Sequence, residues 1–234
     1  MSHPGPAAAP QLQLLGRFRL EHDGPVEVSA SARRLLAYLG LHRYATRTVL
    51  AGTLWPEVPE ARAHGSLRTT LWRLHRDWRS RPLVVSSGRD TLALADAVAV
   101  DIRVLDDGAR EMPPGLLFEG DLLPGWDEDW VLFERERLRQ VRLHALDTLS
   151  GRLLARGRHA PALAAALESI RIDPLRESGH RAVVAVHLAE GNTAEAVRSY
   201  RAFATLLRAE LGLPPSPLFT TLLPAVAVNR VAEG

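Results

Sequence analysis

Arginine is the one residue type in this chain whose crowding and spacing suggest chemistry. Between positions 62 and 89, Arg62, Arg68, Arg73, Arg76, Arg79, Arg81 and Arg89 stand against a single acid, Asp77. On a helix over 61–79, turning about 100° per residue, Arg62, Gly65, Thr69, Trp72, Arg73 and Arg76 project to one side, flanked by Arg68 and Arg79. Leu67, Leu71, Leu74 and Trp78 make an apolar stripe on the other side, with Ala63 and Thr70 beside it. A guanidinium fork bonds phosphate bidentately or pairs with O6 and N7 of guanine in the major groove. Thr69 could touch a thymine methyl group. This face suits non-covalent recognition of nucleic acid.

A solvated helix with a basic outer side would carry the same residues. All 29 basic residues are arginine and none is lysine, a pattern of GC-rich coding, so the arginine count alone says little. The formal net charge is only +2. Distribution says more. Residues 101–136 hold 11 acids and three arginines directly after the basic window, and segregated charge points to separate tasks.

The elements needed to position such a helix are legible around it. Thr46 can cap a helix over 47–54, with Val49, Leu50 and Leu54 as its apolar side. Trp55-Pro56 closes it, because proline cannot donate to the helical ladder and biases the preceding residue away from helix. Helical pattern resumes near Ala61. Upstream, Gln11 to Leu20 alternates as a strand and ends at the turn His22-Asp23-Gly24, with Val26 and Val28 on a second strand. Ser31 can cap a helix carrying Leu35, Leu36, Leu39 and Leu41. Downstream, Leu83-Val84-Val85, a turn over 86–90 centred on Gly88, and Thr91 to Leu94 read as a hairpin with Arg89 at its tip. Strands, three helices and a hairpin, in that order, predict a winged helix-turn-helix domain over 11–96.

The rest of the chain is different in kind. From Trp126 to Leu223 the pattern is helical throughout, and the segment starting Leu154-Ala155-Arg156-Gly157 is echoed by Leu188-Ala189-Glu190-Gly191 at an offset of 34 residues. That is the tetratricopeptide period. Each glycine is expected to end a helix in a left-handed cap, and small alanines let the next helix pack closely. Two repeats need neighbours to cover them, for which helices over 126–150 and 216–226 are expected. An all-α tetratricopeptide-like domain is thus predicted over 97–226, with tails at 1–10 (disordered, from its Pro/Ala composition) and 227–234.

Several function classes find little support. There is no cysteine, hence no disulfide and no thiolate metal site, as suits a reducing cytosol. No apolar run approaches the roughly 18–20 residues of a membrane span, and residues 1–10 do not read as a signal peptide. A cytoplasmic protein without membrane association is expected. None of the nine histidines makes His-x3-His, and His42, His64 and His75 lack carboxylate pairs at ligand spacing, so no metal is expected. Asp127-Glu128-Asp129 has no partner histidine and fits the start of a long helix, where acids favour the dipole. Ser86-Ser87-Gly88 lacks the spacing of a nucleophile elbow. Catalytic residues and cofactors are expected to be none.

Leu54-Trp55-Pro56, Ala63, Leu67-Arg68, Leu71, Arg73-Leu74 and Val100-Asp101 together resemble the OmpR/PhoB-type winged helix of the Streptomyces antibiotic regulatory protein family. The second half is similar to the bacterial transcriptional activator domain of that family. It shares Leu122-Leu123-Pro124, Trp130-Val131, Glu134-Arg135, Leu138-Arg139, Asp173-Pro174-Leu175-Arg176-Glu177, His180-Arg181, Leu188-Ala189-Glu190-Gly191-Asn192 and Glu210-Leu211-Gly212. The resemblance covers roughly residues 11–225. It implies an activator, situated in a gene cluster for secondary metabolism, that binds direct repeats near a promoter and engages RNA polymerase. Two positions depart from the pattern: His75 stands where arginine is common, and Trp72 where a small or polar residue is usual. Without lysine this sequence holds no Walker P-loop, and no receiver domain is expected ahead of the winged helix. Control by ATP hydrolysis or aspartyl phosphorylation is therefore not expected.

The site assignment follows. Arg68, Thr69, Arg73 and Arg76 are expected toward bases and phosphates of double-stranded DNA, with Trp72 either packed against the wing or stacked on sugar-phosphate. Thr46, Arg47, Thr48 and Arg62 would fix backbone register, and Arg89 would anchor the wing. Trp55, Glu57 and Glu60, with helix 47–54, would face RNA polymerase by analogy with the family. Tandem sites imply a homodimer or a cooperative pair. The alternative is a helical-repeat adaptor whose winged helix has lost DNA binding, favoured by the modest charge of residues 1–108, 14 arginines against 11 acids.

Overall fold

Gly16, at a φ of 72°, divides the expected first strand into two. The result is a hairpin of β1 (Gln11–Gln13) and β2 (Arg19–Glu21), pairing Leu12 with Leu20. A side chain at Gly16 would place its Cβ 2.5 Å from the Glu119 carbonyl oxygen, so only glycine fits this turn. The computed structural model describes residues 9–79, 81–103 and 114–223. Tail residues 1–8 and 227–234, and the 224–226 end of the expected last helix, lie outside the described residues. By contacts the chain forms two units, Met1–Leu138 and Arg139–Gly234.

In the first unit, β3 (Pro25–Val26) pairs with β2, and β7 (Ala99–Val100) adds to the other side of β1 in parallel, giving the order β3-β2-β1-β7. Val28 lies beyond β3, not within it. The Asp101 carboxylate stitches this arrangement together. It accepts the backbone N–H groups of Leu14 and Leu15 at 2.9 Å each, and that of Ile102 at 2.8 Å. Burial pushes its carboxyl above the usual carboxylate range, against the opposing pull of these three donors. The sequence places a domain boundary at 96/97, whereas β7 and Asp101 tie the chain after that point into the N-terminal sheet.

Helix α1 (Ala30–His42) crosses the sheet at Gly40, where a Cβ would meet Leu14 Cδ1 at 3.0 Å and Leu12 Cδ2 at 3.3 Å. Its cap is Ser29, which accepts the Ala32 N–H, and Ser31 sits inside the helix. The expected start was two residues late, because Ser29 and Ser31 are equally suited by type to cap a helix. A strand the sequence did not signal, β4 (Tyr44–Thr46), follows α1 and pairs with β6 (Thr91–Leu94). With β5 (Val84–Ser86) these make a second sheet, ordered β4-β6-β5. Helices α2 (Arg47–Leu54) and α3 (Glu60–Asp77) lie between β4 and β5 in sequence. Leu35, Leu36, Leu39, Leu50, Leu54, Leu67, Leu71 and Leu74 from the three helices close one core.

The helical region begins with α4 (Asp129–Ala155), directly at the acidic triplet. It was expected as two helices, a cap over 126–150 and the first helix of a repeat; the chain makes one 27-residue helix of both. In the second unit α5 (His159–Ile172), α6 (Glu177–Ala189) and α7 (Thr193–Leu211) follow, then the single turn α8 (Pro217–Thr220). Gly157 and Gly191 take left-handed φ values of 69° and 77° at equivalent places in the repeat. Gly179 sets the closeness of α5 and α6, since a Cβ there would lie 3.1 Å from Ile170 Cγ1. The architecture is a winged helix-turn-helix followed by an all-α tetratricopeptide-like region.

Candidate nucleic-acid interface

The basic face is carried by α3, whose inner and outer sides separate cleanly. Ala63, Leu67, Thr70, Leu71 and Leu74 are buried, and Thr70 satisfies its hydroxyl by donating to the Ser66 carbonyl at 2.9 Å. Trp78 closes the helix and is only half-buried, so the stripe ends at Leu74. Arg62, Arg68, Thr69, Trp72, Arg73 and Arg76 are all exposed. The Thr69 hydroxyl donates to the Gly65 carbonyl at 3.0 Å, which leaves its methyl group and an acceptor lone pair for an outside partner. Gly65 itself has room for a side chain, a built Cβ meeting only Arg68 Nη2, at 3.8 Å. A glycine inside a helix costs about 1 kcal/mol relative to alanine, and no packing within the protein requires this one.

The α2 start and the wing form a second basic group. Thr46 caps α2, its hydroxyl accepting the Val49 N–H at 3.3 Å. Val49 is exposed, and the buried side of α2 is Leu50, Ala51 and Leu54. The Arg47 N–H donates to the Asp90 carbonyl at 2.8 Å, and Thr46 pairs with Thr91, so the helix start is fixed to the hairpin. Gly88, at a φ of 88°, turns the hairpin, and exposed Arg89 follows it. Thr46, Arg47, Thr48 and Arg89 therefore gather around one hairpin, while Arg62 lies on the first turns of α3.

The two departures from the family pattern acquire partners. His75 donates from Nε2 to the Val84 carbonyl at 3.1 Å, tying α3 to the wing strand β5. Of the two expectations for Trp72, packing against the wing finds no support in its surroundings. Trp72 is 60% exposed, with the Arg76 guanidinium carbon 5.1 Å from its ring centre. Of the residues assigned to polymerase, Glu57 and Glu60 are exposed, and Trp55 is half-buried against the core. Trp55, Pro56 and Glu57 line an open cleft of about 720 Å³ with Arg34, Glu128 and Trp130. Arg34 Nε lies 2.8 Å from Glu128 Oε1 there.

Residues 86–226 match the family model of the bacterial transcriptional activator domain. The chain is also 31% identical over 225 residues to Regulatory protein AfsR of Streptomyces coelicolor, an alignment covering 87% of this chain and 23% of that protein. The chain belongs to the Streptomyces antibiotic regulatory protein family. It spans about a quarter of the length of AfsR, its curated relative. A solved structure of Mycobacterium tuberculosis EmbR, in complex with a low affinity phosphopeptide, has the same fold. The TM-score is 0.73 at 20% identity, covering 95% of this chain and 68% of that one. Among the described residues, no helix is long and apolar enough to cross a membrane.

Four charged motif residues of the second half, Arg135, Arg139, Arg176 and Glu177, are architectural. Arg135 donates to the carbonyls of Leu122, Leu123 and Trp126 at 2.6–2.9 Å. In the second unit Arg139 meets Asp173 at 3.2 Å, and Arg176 donates to Asp147 at 2.9 Å. Glu177 accepts both the N–H, at 2.8 Å, and the hydroxyl of Ser216, fixing the start of α8. Asp147, which no motif flagged, also accepts from Ser169 and Ser178 and so joins α4, α5 and α6. Spacing could not reveal it, because its partners lie more than twenty residues away.

Proposed function

We propose that this chain is a sequence-specific, double-stranded-DNA-binding transcription activator that reads the major groove with α3. The observation that carries the reading is the sidedness of α3: a fully buried leucine stripe opposite exposed Arg62, Arg68, Arg73 and Arg76, within a winged-helix frame. Guanidinium forks exposed along the solvent side of such a helix can bond phosphate oxygens and the O6 and N7 of guanine. Arg68, Thr69, Trp72, Arg73 and Arg76 contact bases and phosphates. Thr46, Arg47, Thr48 and Arg62 set backbone register, and Arg89 anchors the wing on a neighbouring groove or phosphate. Trp55, Glu57 and Glu60 face RNA polymerase. The operator is a pair of direct repeats near a promoter of a secondary-metabolite gene cluster, occupied by a homodimer or cooperative pair, and the protein works in the cytoplasm. The family membership and the segregated charge support this assignment.

The test is a mobility-shift titration of the full chain on promoter DNA from its own gene neighbourhood, at several salt concentrations. Replacing Arg73 or Arg76 by alanine should weaken binding, and each lost phosphate contact should lower the salt slope by about one unit. Unchanged affinity and slope in both variants would remove this face from the interface. No shift even at low salt, where non-specific binding alone should register, would favour the helical-repeat adaptor.

A further inference from the structure

The outer face of α3 is centred on a side chain that ordinary base-reading chemistry does not require. Trp72 is a large apolar group, 60% exposed, on the side that bears Arg68, Thr69 and Arg76. Arg76, one turn later, lies over its ring at 5.1 Å, and its Nε donates to Asp77 Oδ1 at 2.9 Å. The guanidinium is therefore held at two points, by a cation–π contact and by a charge-assisted hydrogen bond. With Nε engaged, the Nη1 and Nη2 end is the edge left to form a fork. That edge matches O6 and N7 of guanine, and a fork held in place before binding loses less freedom on pairing. The indole has different chemistry. In the major groove the one apolar group that a base pair displays is the 5-methyl of thymine. Residues four apart on a helix are separated by about 6 Å along its axis, close to two base steps of about 3.4 Å.

We propose that Trp72 and Arg76 form one preassembled reader of a thymine lying one or two base steps from a guanine. The indole touches the thymine 5-methyl group and the guanidinium takes O6 and N7 of the guanine. The proposal rests on the reading of α3 as the DNA-contacting helix and adds a base preference to it. It also assigns Trp72 a task for which the usual small or polar residue at this position would be unsuited.

The experiment starts from duplexes selected by the full chain out of a random pool. Each thymine of the selected site is then replaced by deoxyuridine, which removes only the methyl group, and binding is measured by fluorescence anisotropy. For the wild type, one thymine per half-site should be sensitive, its replacement weakening binding about three- to fivefold, as loss of one buried methyl group would. Trp72→Ala should bind the thymine site more weakly and be indifferent to the same replacement. The losses from Trp72→Ala and Arg76→Ala should also be less than additive, because the two side chains act as a unit. Equal sensitivity of wild type and Trp72→Ala at every thymine would overturn the proposal while leaving DNA binding intact. Failure to enrich any duplex would overturn both it and the reading on which it rests.

Discussion

Replacing Asp101 by alanine should loosen the whole winged-helix unit, although the residue lies far in sequence from the strands it serves. Its carboxylate accepts three backbone N–H groups, two of which belong to Leu14 and Leu15. Those two residues are 0% and 1% exposed, so water cannot readily replace the lost acceptor. An unsatisfied buried donor costs about 1–3 kcal/mol, which for two amides gives about 2–6 kcal/mol. That is a large part of the roughly 5–15 kcal/mol that holds a typical protein together. Asp101→Asn should fall between the two, because one amide oxygen can still serve Leu14 and Leu15 while its NH2 group opposes the Ile102 N–H. Burial raises the folded pKa of Asp101 above its ordinary value of 3.8. Its stabilising share is thus complete below that value and declines as pH rises through the folded pKa. A neutral-pH experiment therefore reads the smaller effect. Urea unfolding of the full chain followed by circular dichroism should give the order wild type, Asn, Ala. An alanine variant within about 0.5 kcal/mol of wild type, the scatter of ordinary surface changes, would refute the assignment of Asp101 as the stitch between β1 and β7.

Further outcomes are open to measurement. Thr46→Ala removes the α2 cap and should cost about 1 kcal/mol in the same unfolding assay. Gly65→Ala meets only the end of the Arg68 side chain at ordinary contact distance, so it should stabilise α3 by up to about 1 kcal/mol and weaken DNA binding in anisotropy titrations. Burial holds the His180 imidazole below its ordinary pKa of 6.5, against its bond to the Pro174 carbonyl and the charge of Glu177. The unfolded chain therefore takes up a proton that the folded one resists, and stability falls as pH drops below 6.5. His180→Asn should lose that share of the pH dependence in thermal melts between neutral and mildly acidic pH.

Much of the fold was legible because it rests on local signals. Thr46, Trp55-Pro56 and the leucines of α3 state their roles within a few residues, and α2 runs over the expected span of 47–54. Gly157 and Gly191 mark the repeat because a left-handed cap demands a residue without a side chain. What escaped depends on distant partners. Strand β7 is two residues long and is defined by its pairing with β1, which no periodicity can announce. Gly16 looks like an interruption in an alternating strand until Glu119 is seen above it. In the candidate site, the exposure of the arginines and Trp72 is legible from helical spacing, since one face of one helix is a local property. That Arg76 sits on the Trp72 ring and His75 bonds β5 depends on rotamers and on β5 docking, and these lie beyond sequence pattern.

The absence of cysteine offers the most direct test of the central assignment. A single Thr69→Cys variant can be labelled uniquely with an iron chelate that cleaves nearby DNA. With the labelled full chain bound to its selected duplex, strand cleavage should concentrate at a few nucleotides flanking one major-groove face in each half-site. Cleavage no greater than that from the unattached chelate, under conditions where the duplex is bound, would contradict the placement of α3 in the groove.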